Sequence, residues 1–258
     1  MTVATVDDLL ARERRDDRTA LIDATGRSFD VHWLCTTSWK AGNFLRHAGV
    51  REGVTVGVVG EGPLALLAFL GTTLLEGRTR FDPPADLAGD DEFRALVAPV
   101  EDIESGRYDL PRGAQRVGYG DSPDEPGVHH FDAGLWSENP SFPPLSIDPD
   151  TEILTDGDRT VSHGDVLEAA RAVVDEVGLE TGDRVVIRES LTDPRVVTAG
   201  VIAPLLADGV VVLTGTDGPS AGSASCSGDV EGEPRGEYVV SSATDTQTGS
   251  IDPVEVSF

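Results

Sequence analysis

Hydrophobic residues follow two spacings along this chain, and the alternation between them predicts its elements. In TVDDLLARERR a hydroxyl three residues before Asp8 precedes a stripe through Leu9 and Leu10, which predicts a first helix starting at Thr5. TALID (19–23) reads as a short strand turning at ATG. A helix is expected from about Asp30 to His47, anchored by Trp33, Leu34, Trp39 and Leu45 and stopped by Gly49. The all-apolar run 54–59 reads as a strand covered on both faces, Pro63 suits the first turn of a helix ending near Glu76 and Gly77, and RTRFD (78–82) is the next strand. This order suggests a right-handed crossover on a parallel sheet. Periodicity fades over 83–149, where a short helix around 91–97 is expected among surface strands and loops, or an eroded section of a larger fold. EILTDGDRTVS reads as two short strands around a DGD turn. Ser162, with Asp165, caps a helix running to Val177 before Gly178. RVVIR (184–188), a helix opened by Pro194 and a strand at 210–214 follow. Beyond 214 the sequence is polar and rich in Gly and Ser, with GEYVVSS as one last candidate strand.

The expectation is an α/β fold of mostly parallel sheets flanked by helices. It divides into a domain over 1–213, with units at about 1–82 and 150–213 around an irregular segment 83–149, and a flexible acidic tail over 214–258. The two units repeat. LRHAGVREGVTVGVV (45–59) parallels VDEVGLETGDRVVIR (174–188), with Gly49 and Gly53 echoed by Gly178 and Gly182. An offset of 129 residues is far from solenoid spacing. Two similar β-α-β units explain it; convergence on ordinary helix-turn-strand grammar is the alternative.

Charge narrows the function. Asp and Glu number 46 against 20 Lys and Arg, a formal charge of -26, and Lys40 is the only lysine. Such a field repels nucleic-acid phosphate and anionic membrane surfaces, and suits a salt-loaded, halophilic cytoplasm that screens self-repulsion. No basic region precedes an apolar run at the N-terminus and no apolar stretch reaches a membrane-spanning length, so a cytoplasmic location is expected. Cys35 is expected in a helix face against the core. Cys226 lies in the polar tail without a basic neighbour to activate it.

Laid end to end, ALID-x-x-GRSF, GVREG-x-x-VGVV and LLEGRTRFDPP, then SHGDVLEAARAVVDEVGLETGDRVVI and APLLADGVVVL, resemble the N-terminal part of the AMP-forming acyl-CoA synthetase and acyl-adenylate ligase superfamily. The resemblance covers about 6–82 and 150–213. It implies ATP with magnesium, a carboxylic acid and CoA as ligands, and a phosphate-binding loop immediately before Ser162 and His163. Here that place holds Thr155, Asp156, Gly157, Asp158, Arg159 and Thr160: a shortened loop with two acids where triphosphate oxygens would come. The family's magnesium and adenine motif, its ribose-binding Asp and the small domain with its catalytic Lys have no match. A truncated, degenerate relative without catalytic residues or cofactors of its own is therefore expected. It would serve as a binding, regulatory or assembly module, associating with itself or with a larger ligase-like protein through an uncovered apolar surface. The alternative is a ligase component completed by a partner chain. Under it, Thr155, Gly157, Arg159, Thr160, Ser162 and His163 are the residual loop candidates, although Ser162 is already explained as a helix cap.

A second alternative is dinucleotide binding. Gly60-x-Gly62-x-x-Ala65 follows a strand and opens a helix, so Gly60 could make the turn, Gly62 admit a pyrophosphate and Asp82 hold a ribose. Pro63 is unusual in that fingerprint, and a plain strand-to-helix turn explains the same glycines. His129, His130 and Asp132 have metal-ligand chemistry, yet adjacent strand residues point to opposite faces, and a surface turn is the simpler reading, so no metal is expected.

Overall fold

The computed structural model describes residues 3–141, 143, 145–214, 237–242 and 249–258, so most of the polar stretch beyond 214, Cys226 included, lies outside the described residues. Two sheets carry the fold. Strands β1 (Thr19–Ile22) and β2 (Ser28–Asp30) precede helix α1 (Val31–His47); β3 (Thr55–Val58), α2 (Pro63–Thr73) and β4 (Arg78–Phe81) follow. Then come β5 (Phe93–Pro99), α3 (Val100–Glu104), β6 (Gln115–Tyr119), β7 (Val128–His130) and α4 (Phe131–Ser137). The second half runs β8 (Glu152–Thr155), β9 (Thr160–Ser162), α5 (His163–Val177), β10 (Arg184–Ile187), α6 (Pro194–Val197), a π-helical turn (Thr198–Ile202), α7 (Ala203–Leu206), β11 (Val210–Leu213), β12 (Glu237–Val240) and β13 (Ser250–Ile251). The strand orders are β13-β12-β10-β11-β1-β2 and β7-β6-β5-β3-β4-β8-β9. All pairings are parallel except the hairpins β1–β2 and β8–β9. The α/β architecture and the strands expected near 54–59, 78–82, 184–188 and 210–214 are all present.

The repeat is structural. Each half is a hairpin, a helix and a β-α-β unit, and each hairpin leaves its own unit to join the other's last strand: β1 pairs with β11, and β8 with β4. The local hydrogen bonding repeats as well. Gly53 N donates to Glu76 O and Gly182 N to Asp208 O, both at 3.0 Å. Glu76 and Asp208 are both left-handed, at φ 57° and 59°. The halves differ by insertions in the second, where the turn before the proline is longer and Pro194 stands 15 positions before Gly209 against 14 between Pro63 and Gly77. The π-helical turn absorbs that extra residue without breaking the helix.

Three local expectations are corrected. The helix from Thr5 is two 3-10 turns, Val6–Leu10 and Arg12–Arg14, because Ala11 between them is extended (φ -60°, ψ 147°). Tertiary contacts fix that break: Val6, Leu9 and Leu10 are buried, while Arg14 reaches across to Leu205 O and, at 2.7 Å, to Asp208. The helix expected at 91–97 is instead β5, which lies between β3 and β6. A strand covered on both faces reads as a short continuous apolar run, which periodicity cannot separate from a buried helix. The irregular segment 83–149 accordingly holds β5, β6, β7, α3 and α4, which extend the sheet beyond β3.

Helix α2 is buried from Ala65 through Thr73, and the hydroxyls of Thr72 and Thr73 are satisfied by the carbonyls of Ala68 and Leu70. It packs on α1 where Gly71 meets Ala41 and Gly42; a Cβ on Gly71 would lie 2.8 Å from the Cβ of Ala41 and from Gly42 N. Gly71→Val is expected to cost about 1–3 kcal/mol in denaturant unfolding. Gly89→Ala, where a Cβ meets nothing within 4 Å, should stay within about 0.5 kcal/mol.

Candidate functional site

Three loops converge where β4, the β8–β9 hairpin and the segment after β10 end. Arg80, Phe81, Asp82, Asp156, Thr192 and Asp193 line an open cleft of about 260 Å³ there. The fold thus brings together Asp82 and the 155–160 turn, which the sequence offered to different ligands. Arg80 and Thr192 were missed. The signal for Thr192 was the repeat itself, since the segments after β3 and after β10 are equivalent, and Glu61 of the first faces Ser190 and Leu191 of the second. Burial, then the charge of Asp82, raises the Glu61 carboxyl above its ordinary value.

The β8–β9 turn is closed on itself. Thr155 Oγ1 donates to Arg159 O at 2.8 Å and accepts from Gly157 N at 3.0 Å. Asp156 Oδ1 accepts from Asp158 N (2.9 Å) and Arg159 N (2.8 Å), and its other oxygen meets the Arg159 guanidinium at 3.3 Å. Burial works against the charge of Asp156, but those backbone N–H groups and Arg159 outweigh it and hold the carboxyl below its ordinary value. The N–H groups of Gly157, Asp158 and Arg159, which a phosphate would need, are therefore already occupied by side chains of the turn. Gly157 has φ 100°, and a Cβ there would lie 2.3 Å from the Arg80 guanidinium. Thr160 Oγ1 donates to Glu152, and Ser162 caps α5 in a reciprocal box with Asp165.

His163 is fully buried, and its Nδ1 accepts from Val6 N at 2.9 Å, tying the N-terminal turn to α5. Burial pushes its pKa down to about 4, so the ring is neutral and structural at neutral pH. Neither Ser162 nor His163 lines the cleft, and Lys40 stands on α1, also outside its lining.

At Gly60 the turn offered to a dinucleotide is occupied by the protein itself, while Gly62 has nothing within 4 Å of a Cβ. Strand β3 lies between β4 and β5, which the chain reaches in opposite directions, so its carboxyl end is a topological switch point. Tyr119 occupies this place: its hydroxyl donates to Val59 O at 2.6 Å, and a Cβ on Gly60 would lie 2.3 Å from the Tyr119 hydroxyl oxygen. Gly60 N donates to Asp82 at 3.3 Å, and Gly62 is the N-cap of α2. Burial, with Asp82, Asp102 and Asp132 nearby, raises the phenol strongly. His129 hydrogen-bonds Gln115, while His130 lies 3.7 Å from Asp132. Among the described residues no group of three or more His, Cys, Asp or Glu could hold a metal ion. Cys35 is buried in α1, where burial raises its thiol to about 11.

No protein-family model matches the sequence, and no curated protein matches it. Solved structures do. An anthranilate CoA ligase bound to anthranoyl-AMP superposes with a TM-score of 0.68 at 18% identity, over 82% of this chain and 45% of that one. The chain shares its fold with the acyl-CoA ligases. A fatty acyl CoA synthetase of Mycobacterium tuberculosis gives 0.67 at 15% identity, over 82% and 44%. The inhibitor-bound N-terminal domain of FACL13 from the same organism gives 0.67 at 15%, over 81% and 56%. The chain therefore spans about half the length of these ligases. No helix among the described residues is long and apolar enough to cross a membrane.

Two outcomes test the assignments at these positions. A side chain on Gly60 is strained by its φ of 96° and meets the Tyr119 oxygen, so Gly60→Ala should lose about 2–3 kcal/mol of unfolding free energy. Adding Tyr119→Phe should recover about 1 kcal/mol in a double-mutant cycle. His163 has a folded pKa below its unfolded value of 6.5, so the unfolded chain binds the extra proton between these values. Its contribution is complete above pH 6.5 and lost as pH falls toward 4. Relative to His163→Asn, which keeps an acceptor for Val6 N but does not titrate, the native chain should lose up to about 3 kcal/mol between pH 7 and 4.

Proposed function

We propose that this chain is a component of an acyl-adenylate or acyl-CoA ligase assembly, supplying the α/β scaffold while a partner chain supplies the groups that hold ATP-Mg during activation of a carboxylic acid. The fold shared with acyl-CoA ligases over four fifths of the chain supports the ligase assignment. The internally closed 155–160 turn is the single observation that carries the division of labour. Adenylation needs donors or magnesium converging on triphosphate oxygens, and here the turn's N–H groups are spent on Thr155 and Asp156. The carboxylates of Asp82, Asp156 and Asp193 around the adjoining cleft add repulsion.

A second reading is a non-catalytic binding, regulatory or assembly module, degenerate in the same turn and adapted to high salt by its charge of -26. Both readings expect the isolated chain to bind no ATP-Mg tighter than about 100 μM (roughly 5.5 kcal/mol) by calorimetry in multimolar KCl. Both also expect no acid-dependent pyrophosphate release. Tighter binding that Thr155→Ala or Arg159→Gln weakens would instead make the chain an autonomous ligase. The two readings separate when a ligase-like second chain is added: pyrophosphate release that needs both chains supports the component, and association without release supports the non-catalytic module.

A further inference from the structure

The sheet that contains β10 has one face in the core and one outside it. Val185, Ile187, Val211, Leu213 and Val240 enter the main core. Alternation turns their neighbours Val186, Val210, Val212 and Val239 the other way, and none of these, nor Ile22, belongs to either apolar cluster of the protein. Register aligns Ile22, Val212, Val186 and Val239 in one row across four strands. Val186 is buried, while the other three keep part of their surface exposed. Helical packing reaches this sheet from the core side: a Cβ on Gly200, in the π-helical turn, would lie 2.7 Å from the side chain of Ile187 and 3.7 Å from that of Val240.

Strands β1, β11, β10 and β12 run parallel to one another, and parallel sheets are found almost only with both faces covered, as a rule by helices. Positions 215–236 and 243–248, which join β11 to β12 and β12 to β13, hold Val230 as their one large aliphatic residue and no aromatic one. The large apolar side chains exposed among the described residues are Trp136, Val254 and Phe258, so a second copy brings no helix with an open apolar stripe. Charge marks the rim. Arg184 and Arg188 stand two positions either side of Val186, hence on the same face, and the Arg188 N–H continues the ladder to Val240 O. Both are exposed, and no carboxylate among the described residues lies within 4.0 Å of either guanidinium. Glu237, in register with Arg184, balances that end of the face. At the other end Glu189 is held by the backbone and hydroxyl of Ser242, which leaves Arg188 as the uncommitted charge.

We propose that this face docks one amphipathic helix of a partner chain, apolar along its seated stripe and acidic where it passes Arg188. The row spans three inter-strand spacings, about 14 Å, and a helix with its side chains is about 10–12 Å across, so one helix lying along the strands fills it. An apolar stripe on Ile22, Val212 and Val239 removes the surface that they leave exposed. The preference for an acid runs against the overall charge of -26, which by itself attracts cationic helices, so it is a property of this face and not of the whole molecule. The surface does not depend on the ligase reading, since a non-catalytic module would dock through it equally.

Amide-resolved NMR titration of the full chain, in one KCl buffer, with two helical peptides of about 18 residues tests it. The peptides share one leucine and alanine stripe and differ only in flanks of glutamate or of lysine. The glutamate peptide is expected to shift the amides of Ile22, Val186, Val212 and Val239 saturably, and to bind about tenfold tighter than the lysine peptide, which is about 1.4 kcal/mol. Arg188→Glu, at an exposed position, should reverse that preference, and Val239→Asp should weaken both peptides. Equal or tighter binding of the lysine peptide, shifts centred on Trp136 or Phe258, or no saturation by about 1 mM would each overturn the proposal. A dimer in sedimentation that Val239→Asp dissociates would also overturn it, making the occupant a second copy. Loss of hydrogen-exchange protection at Val186 and Val212 when 215–236 are replaced by a Gly-Ser linker of equal length would do the same, making the occupant the chain's own segment. The comparison of the two peptides is made on the native chain, so it decides the matter even where a variant fails to fold.

Discussion

The exchange of hairpins between the two halves is the constraint from which the rest of the architecture follows. Strand β1 finds its parallel partner in β11, through Leu21 with Val211 and Ile22 with Val212, and β8 finds its partner in β4 through Thr79 and Leu154. Neither half therefore completes a sheet alone. One apolar core runs through both, from Leu10 and Leu45 to Val166 and Val211. Arg14 and Arg18 secure the crossing by both reaching Asp208, the left-handed residue ahead of β11. Contacts so distant in sequence are costly to form in a chain and reward it only when both halves are in place.

The same exchange creates the cleft. By carrying β8 and β9 onto β4, it sets the 155–160 turn beside the end of β4 and opposite the segment after β10. In other folds a site at strand ends collects free N–H groups for an anion. Here each such position has an internal occupant: Asp156 takes the amides of the turn, Asp193 is chelated by Arg195 at 2.6 Å, and Tyr119 fills the switch point at β3. Arg80, packed over Gly157, is the cation of the cleft with no carboxylate within 4.0 Å among the described residues. Electrostatics and packing together leave the cleft lined by Asp82, Asp156 and Asp193 around one guanidinium, in a fold shared with acyl-CoA ligases.

Much of the fold was legible in the sequence because its signals are local. Gly49, Gly53, Gly178 and Gly182 mark left-handed turns whatever packs on them, Pro63 and Pro194 open helices, and Ser162 with Asp165 makes a cap from residues three apart. The 129-residue offset exposed the duplication. The hairpin turn at 155–160 was also legible, because its DGD run places Asp156 and Asp158 around a glycine that takes a left-handed conformation.

Tertiary structure decided what depends on partners remote in the chain. The N-terminal 3-10 turns pack Val6, Leu9 and Leu10 into the core and carry Arg14 to Asp208, and β5 is a strand flanked by β3 and β6; neither set of partners is visible in a window of ten residues. Gly60 looked like part of a dinucleotide turn, and only the 2.6 Å bond from Tyr119 to Val59, made across 60 residues, shows what its missing side chain accommodates. His163 looked like a candidate ligand beside a cap until the fold buried it against Val6. The sequence by itself thus determined the strands and helices of the two repeated units, the repeat and the sign of the charge. Which strand each hairpin joins was decided by tertiary pairing, Thr79 with Leu154 across 75 residues and Leu21 with Val211 across 190, and the same packing decided which polar groups remain free for a ligand.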